Sequence, residues 1–300
     1  MTAASSQGLS RYLKHLRAER RLSPHTLGAY RRDLEKLLAF AQAHAVTDFS
    51  VFNVHHARAF AADLRRAGLS GRSIRRALSA ARGLYRYLQR EKLAACNPFA
   101  GVIAPKAGHR LPRTLSVDQV SLLLSVKAEK PLAIRDLAIM ELMYSSGLRL
   151  SELANLDLAE LDLRDDLVRV TGKGGKTRVV PVGRFAHSAV NAWLSQRASI
   201  VAQAERAVFV SRHGRRLSPR SIQARIAYWA KVQGLDVRVS PHMLRHSFAS
   251  HLLESSGELR VVQELLGHAN VSTTQVYTHL DFQQLAKVYD RAHPRARKRG

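Results

Sequence analysis

The sequence predicts a mainly helical chain of two domains, α+β in class, with a small antiparallel β-sheet in the C-terminal domain. Three observations carry that prediction. Apolar residues recur at helical spacing through most of the first hundred positions. A stretch punctuated by Pro98, Gly101, Pro105, Gly108 and Pro112 then breaks the pattern. Beyond it, two β-branched runs bracket Gly172-Lys-Gly-Gly-Lys176, a hairpin signal. The expected boundaries are 1–92 for an N-terminal helical domain, 93–115 for a basic linker and 116–300 for a C-terminal domain. A chain of 300 residues has room for two domains.

Each element has a local cause. Leu9, Tyr12, Leu13 and Leu16 fall at i, i+3, i+4 and i+7. Ser23-Pro24 is an N-cap followed by proline at the first helical position, ahead of the stripe Leu27, Tyr30, Leu34, Leu37, Leu38 and Ala41. A third helix is expected from about His56 to Ala67, stopping at Gly68. The fourth, from about Ser73 to Lys92, separates two faces. Ile74, Leu78, Ala81, Tyr85 and Leu88 cluster on one side, and Arg75, Ser79, Arg82, Arg86 and Arg90 lie about a third of a turn away. No acidic residue offsets those arginines before Glu91, so a phosphate-contacting face competes with a solvated one.

The C-terminal domain opens on Ser116-Val-Asp-Gln119, a capping box, with a helix to about Val126. Pro131 starts a second, apolar helix. Leu167–Thr171 and Thr177–Val182 form the hairpin. A helix at Ala186–Val201, a short strand at Val208–Val210 and a helix from Ser218-Pro219 to about Gln233 follow. From Pro241 the pattern is helical, with breaks at Gly257 and Gly267.

Charge points to the partner. Lys and Arg number 48 against 23 Asp and Glu, a net charge of +25. Residues 1–110 carry 20 basic and 6 acidic side chains and the remainder 28 and 17, so both domains are basic. Such a field attracts polyanions, nucleic acid first. Two basic domains on a flexible basic linker suggest a two-domain DNA clamp. Arg enrichment from a GC-rich genome competes with this, but does not by itself remove acidic residues. The single cysteine, Cys96, excludes an intrachain disulfide and suits a reducing cytoplasm. It is expected as a small packed residue. No apolar run approaches the roughly 18 residues of a bilayer span, and no signal-peptide core opens the chain. No membrane insertion and a cytoplasmic location are expected.

Few routes to phosphate chemistry remain. There is no Walker A loop and no Gly-x-Gly-x-x-Gly opening a helix. Asp157, Asp162, Asp165 and Asp166 lie in a polar connector and read as turn and surface residues rather than as a two-metal centre. His242 and His246 have zinc-like spacing, but Arg245 stands between them and the Glu of a His-Glu-x-x-His site is missing. No metal is expected. What stands out is a cationic set: Arg149, Lys173, His242, Arg245, His268 and Tyr277. His242 and Arg245, three apart, share a helical face. Two Arg forks can hold phosphate oxygens, and Lys173 occupies the hairpin tip. Singly, each has a plainer role: a helix-ending Arg149, a solvated Lys173, a capping His242, an Arg245 paired with Glu254 or Glu258, a His268 on a carbonyl, a core Tyr277.

Order and context favour the set. Tyr144-Ser-Ser-Gly-Leu-Arg-Leu-Ser-Glu152, Gly172-Lys-Gly-Gly-Lys176, His242-Met-Leu-Arg-His-Ser-Phe-Ala-Ser-His251 and Leu265-Leu-Gly-His-Ala-Asn-Val-Ser-Thr-Thr-Gln-Val-Tyr277 resemble, in turn, the active-site boxes of the tyrosine recombinases of phage-integrase type. The resemblance covers nearly the whole chain. The stretch 278–296 narrows it to the bacterial Xer-type subgroup, on the side that partners XerD-type recombinases. It implies cutting and rejoining of DNA through a 3′-phosphotyrosyl intermediate on Tyr277, without metal, ATP or other cofactor. Arg149 and Arg245 would bind the phosphate, Lys173 would act as general acid, His242 would assist the tyrosine, and His268 would donate to phosphate. Also implied are duplex DNA with inverted dif-type half-sites, a heterotetramer with a XerD-type partner on two sites, an FtsK-type translocase, and conversion of chromosome dimers to monomers at cell division. Arg75, Arg82, Arg86 and Arg90 are the candidate DNA contacts of the first domain. A mobile-element integrase of the same chemistry and a non-catalytic DNA-binding regulator are the alternatives.

Overall fold

The computed structural model describes residues 3–20, 22–104, 114–172, 175 and 177–256. The chain divides into two compact units, residues 1–110 and 111–300. Among the described residues no helix is long and apolar enough to cross a membrane.

The first unit packs α1 (Ala3–Ala18), α2 (Pro24–Ala43), α3 (Val54–Arg66) and α4 (Gly71–Arg90). Ser23 caps α2 by accepting from the Thr26 backbone N–H, with Pro24 at the first turn as expected. Gly68 ends the α3 segment with φ +74°, a conformation that costs glycine nothing. The apolar side of α4 is fully inside: Ile74, Leu78, Ala81, Tyr85 and Leu88 are all buried. Burying a side chain the size of Ile74, Leu78 or Leu88 contributes on the order of 1.5–3 kcal/mol each, which holds the four helices together.

Two expectations for the first unit are corrected. The linker was placed from residue 93, but Phe99 and Val102 are buried in this unit's core. Their carbonyls accept from Arg82 Nε (2.9 Å) and Nη2 (2.8 Å), and Asn97 Nδ2 donates to the Arg82 carbonyl (3.1 Å). The aromatic ring of Phe99 recovers apolar surface that a proline-rich reading overlooked. Cys96, expected to be packed, is exposed.

The second unit is built on α6 (Pro131–Ser146), buried over most of its length and packed against α5 (Val117–Leu124), α8 (Arg184–Arg197), α9 (Pro219–Val232) and α10 (Pro241–Ser256). The Ser116–Gln119 capping box forms in both directions, at 3.2 and 3.0 Å. α7 (Leu150–Asn155) follows α6 after the three residues Gly147–Arg149, the first of them left-handed. The hairpin pairs β2 (Leu167–Thr171) with β3 (Thr177–Pro181), register Val170 with Arg178 and Thr171 with Thr177. A two-residue strand, β1 (Leu161–Asp162), adds to β2 and makes the antiparallel sheet three-stranded, order β1-β2-β3.

The acidic connector before the hairpin thus carries a strand that spacing did not reveal. Its carboxylates serve the fold. Asp162 accepts from the backbone of Arg164 and Asp165, Asp157 pairs with Arg216, and Asp166 pairs with His187. The strand expected at Val208–Val210 is only a pair of isolated bridges, Asp157 with Ala207 and Val210 with Arg216. α9 is pinned to α6 by buried Asp136, which accepts from Trp229 Nε1 (2.9 Å) and Arg225 Nε (2.5 Å).

Candidate active site

The segment Tyr144–Glu152 builds one wall of a cleft, and hydrogen bonds place Tyr144, Ser145, Ser146, Arg149 and Glu152. The Tyr144 hydroxyl meets His251 Nδ1 on α10 at 2.9 Å. Ser145 Oγ accepts from the Gly183 backbone N–H, and Ser146 Oγ donates to the Pro181 carbonyl, both at 2.8 Å. These bonds tie the end of α6 to the end of β3. Gly147 caps α6 in the left-handed region, φ 55°, where a side chain would be strained. That turn aims its carbonyl at Arg245, whose Nη1 donates to it. Leu148 is buried as the hydrophobic plug, and Arg149 stands at the N-cap of α7.

The facing wall is the start of α10. Ser240 caps it, accepting from the Met243 backbone N–H at 3.3 Å, and Pro241 occupies the first helical position. The cap role considered for His242 therefore belongs to Ser240. His242 faces His246 one turn on, Nε2 to Nε2 at 3.0 Å, so one imidazole donates the shared proton and the other accepts it. Arg245 is 9% exposed, and an acidic neighbour is Glu152, 4.0 Å from its Nη1; Glu258 lies outside the described residues.

Between the walls lies a cleft of about 450 Å³ lined by Leu148, Arg149, Leu150, Gln223, Ser240, Pro241, His242, Arg245, His246 and Ala249. The structure thus brings together Arg149, His242 and Arg245, nearly a hundred residues apart in sequence. Lys173, His268 and Tyr277 lie outside the described residues.

Sequence reasoning missed the residue at the centre of this arrangement. Glu152, 1% exposed at its side chain, accepts from the Arg149 backbone N–H (2.8 Å), Arg149 Nη1 (2.8 Å), Arg178 Nη1 (2.7 Å) and Arg178 Nη2 (2.9 Å). Arg245 Nη1 lies 4.0 Å from it. Burial alone would raise its pKa. The bonds from Arg178 and from the Arg149 backbone outweigh that and bring it down to about 2. The available signal was its place three residues after Arg149, the spacing of a capping box. Three guanidinium groups around one carboxylate leave the cleft with a local excess of positive charge. Such a site suits a phosphodiester and the extra negative charge that develops during its cleavage.

In the first unit, Arg75, Arg86 and Arg90 of α4 are exposed, while Arg82 is drawn inward to the carbonyls of Phe99 and Val102. Arg86 and Arg90, with Arg20, Tyr12, His15, Tyr30 and Tyr87, line a second cleft of about 360 Å³. The structure therefore sets Arg82 apart from the other three candidates. Its fork closes the 97–102 turn, because those carbonyls need donors once buried.

The phage integrase family matches residues 113–284, and the N-terminal SAM-like domain of phage integrases matches residues 9–92. The chain belongs to the phage integrase family. The tyrosine recombinase XerC of Pseudomonas syringae pv. tomato is 56% identical over 98% of both chains, and that of Pseudomonas aeruginosa strain LESB58 is 55% identical over 97% of this chain and 96% of its own. Within the family this chain falls in the XerC subgroup, as the closing stretch suggested, and it is a site-specific DNA recombinase. The fold agrees. XerH site-specific recombinase bound to a palindromic difH substrate superposes with TM-score 0.71 at 23% identity, over 96% of this chain and 85% of that one.

Proposed function

We propose that this enzyme cuts and rejoins DNA through a 3′-phosphotyrosyl link to Tyr277, acting with a XerD-type partner at dif-type sites to convert chromosome dimers to monomers at cell division. Support comes above all from the cleft that converges Arg149, His242 and Arg245, its two arginines held beside a buried carboxylate. A phosphodiester seated there would have its non-bridging oxygens against the two guanidinium groups. The Tyr277 oxygen attacks phosphorus, its proton leaving with the help of His242. The bond to the 5′ oxygen breaks, and Lys173 protonates that oxygen as it departs. His268 donates to a phosphate oxygen. The phosphoryl link retains the bond energy, so attack by another duplex's 5′-hydroxyl completes strand exchange with neither ATP nor a metal.

The two units, the first of them reaching past Val102, act as the two arms of a clamp on duplex DNA, with Arg75, Arg86 and Arg90 on the first arm. Two copies of this chain and two of the XerD-type partner assemble on two sites of inverted half-sites, in the cytoplasm, under an FtsK-type translocase.

A nicked suicide substrate tests the chemistry. The wild-type chain is expected to form an SDS-resistant adduct, and Tyr277→Phe is expected to bind DNA but form none. An adduct with the Phe variant would overturn the nucleophile assignment. Recombination by this chain alone, without the XerD-type partner, would point instead to a mobile-element integrase.

A further inference from the structure

Arg178 has no part in the chemistry above, yet it makes a fully bidentate ion pair with Glu152. Both arms of its guanidinium engage both oxygens of Glu152, at 2.7 and 2.9 Å, and its side chain is largely buried. A bidentate fork of this kind fixes direction as well as distance. Its place in the sheet is specific. β1 pairs only with the first two residues of β2, so from Val170 onward the hairpin is a two-stranded ribbon. Such a ribbon is marginal by itself. Arg178 lies opposite Val170, one pair short of Thr171 and Thr177, where residues 172–176 begin. At the other end β3 is anchored by Ser146 on the Pro181 carbonyl. The strand is therefore held at both ends, and the brace at the hairpin end is the carboxylate that also holds Arg149.

We propose that Arg178 is a positioning residue for the leaving-group proton: by gripping Glu152 it fixes the hairpin that carries Lys173 relative to the arginines that seat the phosphate. This rests on the reading of Lys173 as general acid. Charge balance alone does not account for the fork, because Arg149 is already bonded to Glu152 and Arg245 is close by. In the step concerned, the bond from the tyrosine oxygen to phosphorus forms, the bond from phosphorus to the 5′ oxygen breaks, and the lysine proton passes to that oxygen. If sulfur replaces the 5′ oxygen, the leaving group departs as a thiolate and needs no proton.

The test is single-turnover cleavage by the full chain on two suicide substrates, with oxygen or sulfur at the bridging 5′ position. Arg178→Ala is expected to slow the oxygen substrate by roughly 10- to 100-fold, the usual effect of removing an outer supporting contact. Most of that loss should be recovered with sulfur, and DNA affinity should be unchanged. Arg178→Lys, which keeps the charge but not the fork, should fall between Ala and wild type on oxygen. It carries the same comparison if the Ala variant does not fold. Equal loss on both substrates, or no loss, would overturn the proposal. Lys173→Ala serves as the reference. If sulfur fails to rescue it, the general-acid reading itself falls. If sulfur rescues Lys173→Ala but neither Arg178 variant, only the role of Arg178 falls.

Discussion

Glu152 holds Arg149 at two points, its backbone N–H and its Nη1, each at 2.8 Å. The first contact starts α7 and the second aims the guanidinium into the cleft, so one carboxylate sets both the backbone and the side chain of a phosphate-binding residue. Glu152→Gln keeps the shape but removes the charge and replaces one acceptor with a donor. Single-turnover cleavage is expected to fall by roughly 10- to 100-fold. A rate within error of wild type would show that Arg149 is aimed without it.

The same carboxylate gives a pH signature. Its pKa in the fold, about 2, lies below the ordinary value of 4.5. The stability it confers is therefore complete above about pH 4.5 and is lost as the pH falls toward 2. The total is on the order of 3 kcal/mol. Urea unfolding at a series of acid pH values should show a steeper loss for wild type than for Glu152→Gln. Parallel curves would contradict the assignment.

Arg82 and Arg86 are neighbours on α4 with different work. Arg82→Ala leaves the buried carbonyls of Phe99 and Val102 without these donors, at about 1–3 kcal/mol for each group left unsatisfied. Lower thermal stability of the first unit is expected. Arg86→Ala should leave stability intact and reduce the slope of log affinity against log salt by about 1. A reversal of those two results would return Arg82 to the DNA face.

Tyr144 and His251 join α6 to α10 in the core. Burial pushes the Tyr144 hydroxyl's pKa up and the His251 pKa down from 6.5. With a folded value below the unfolded one, the stability due to His251 is complete above about pH 6.5. It declines as the pH drops below that, because the unfolded imidazole takes up a proton first. Tyr144→Phe deprives Nδ1 of its partner and should cost about 1–3 kcal/mol at pH 8 by denaturant unfolding. An unchanged midpoint would mean the bond contributes nothing.

Gly147→Ala places a side chain in the left-handed region, at about 1–2 kcal/mol. It also disturbs the carbonyl that Arg245 uses, so cleavage should fall more than stability accounts for. Comparing the rate with wild type at a temperature where circular dichroism shows both proteins fully folded checks this.

Much of the architecture was legible because its causes are local. Ser23-Pro24, the Ser116–Gln119 box and the two-faced pattern of α4 each act within one or two turns, and each forms as expected. What was missed depends on distant partners. The two-residue β1 exists only because β2 offers it an edge. Residues 208–210 fall short of a strand because they meet neighbours only at isolated bridges. Phe99 looked like linker until the core of the first unit claimed its ring. In the cleft, the types and order of Arg149, His242 and Arg245 were readable. The assignment of Glu152 and Arg178 was not, since a charged residue in sequence does not disclose which charge it will meet.

The sequence by itself determined the helical content, the hairpin, the basic character and the phosphate-directed set, because periodicity, capping chemistry and net charge are properties of the chain alone. Only the tertiary structure decided that a single buried carboxylate would organise three arginines from α7, β3 and α10. It also decided that Arg82 would turn inward while Arg86 stayed in water. Those outcomes follow from burial. Once apolar packing excludes solvent, each enclosed charge or carbonyl must find a partner among whatever groups the fold has brought near.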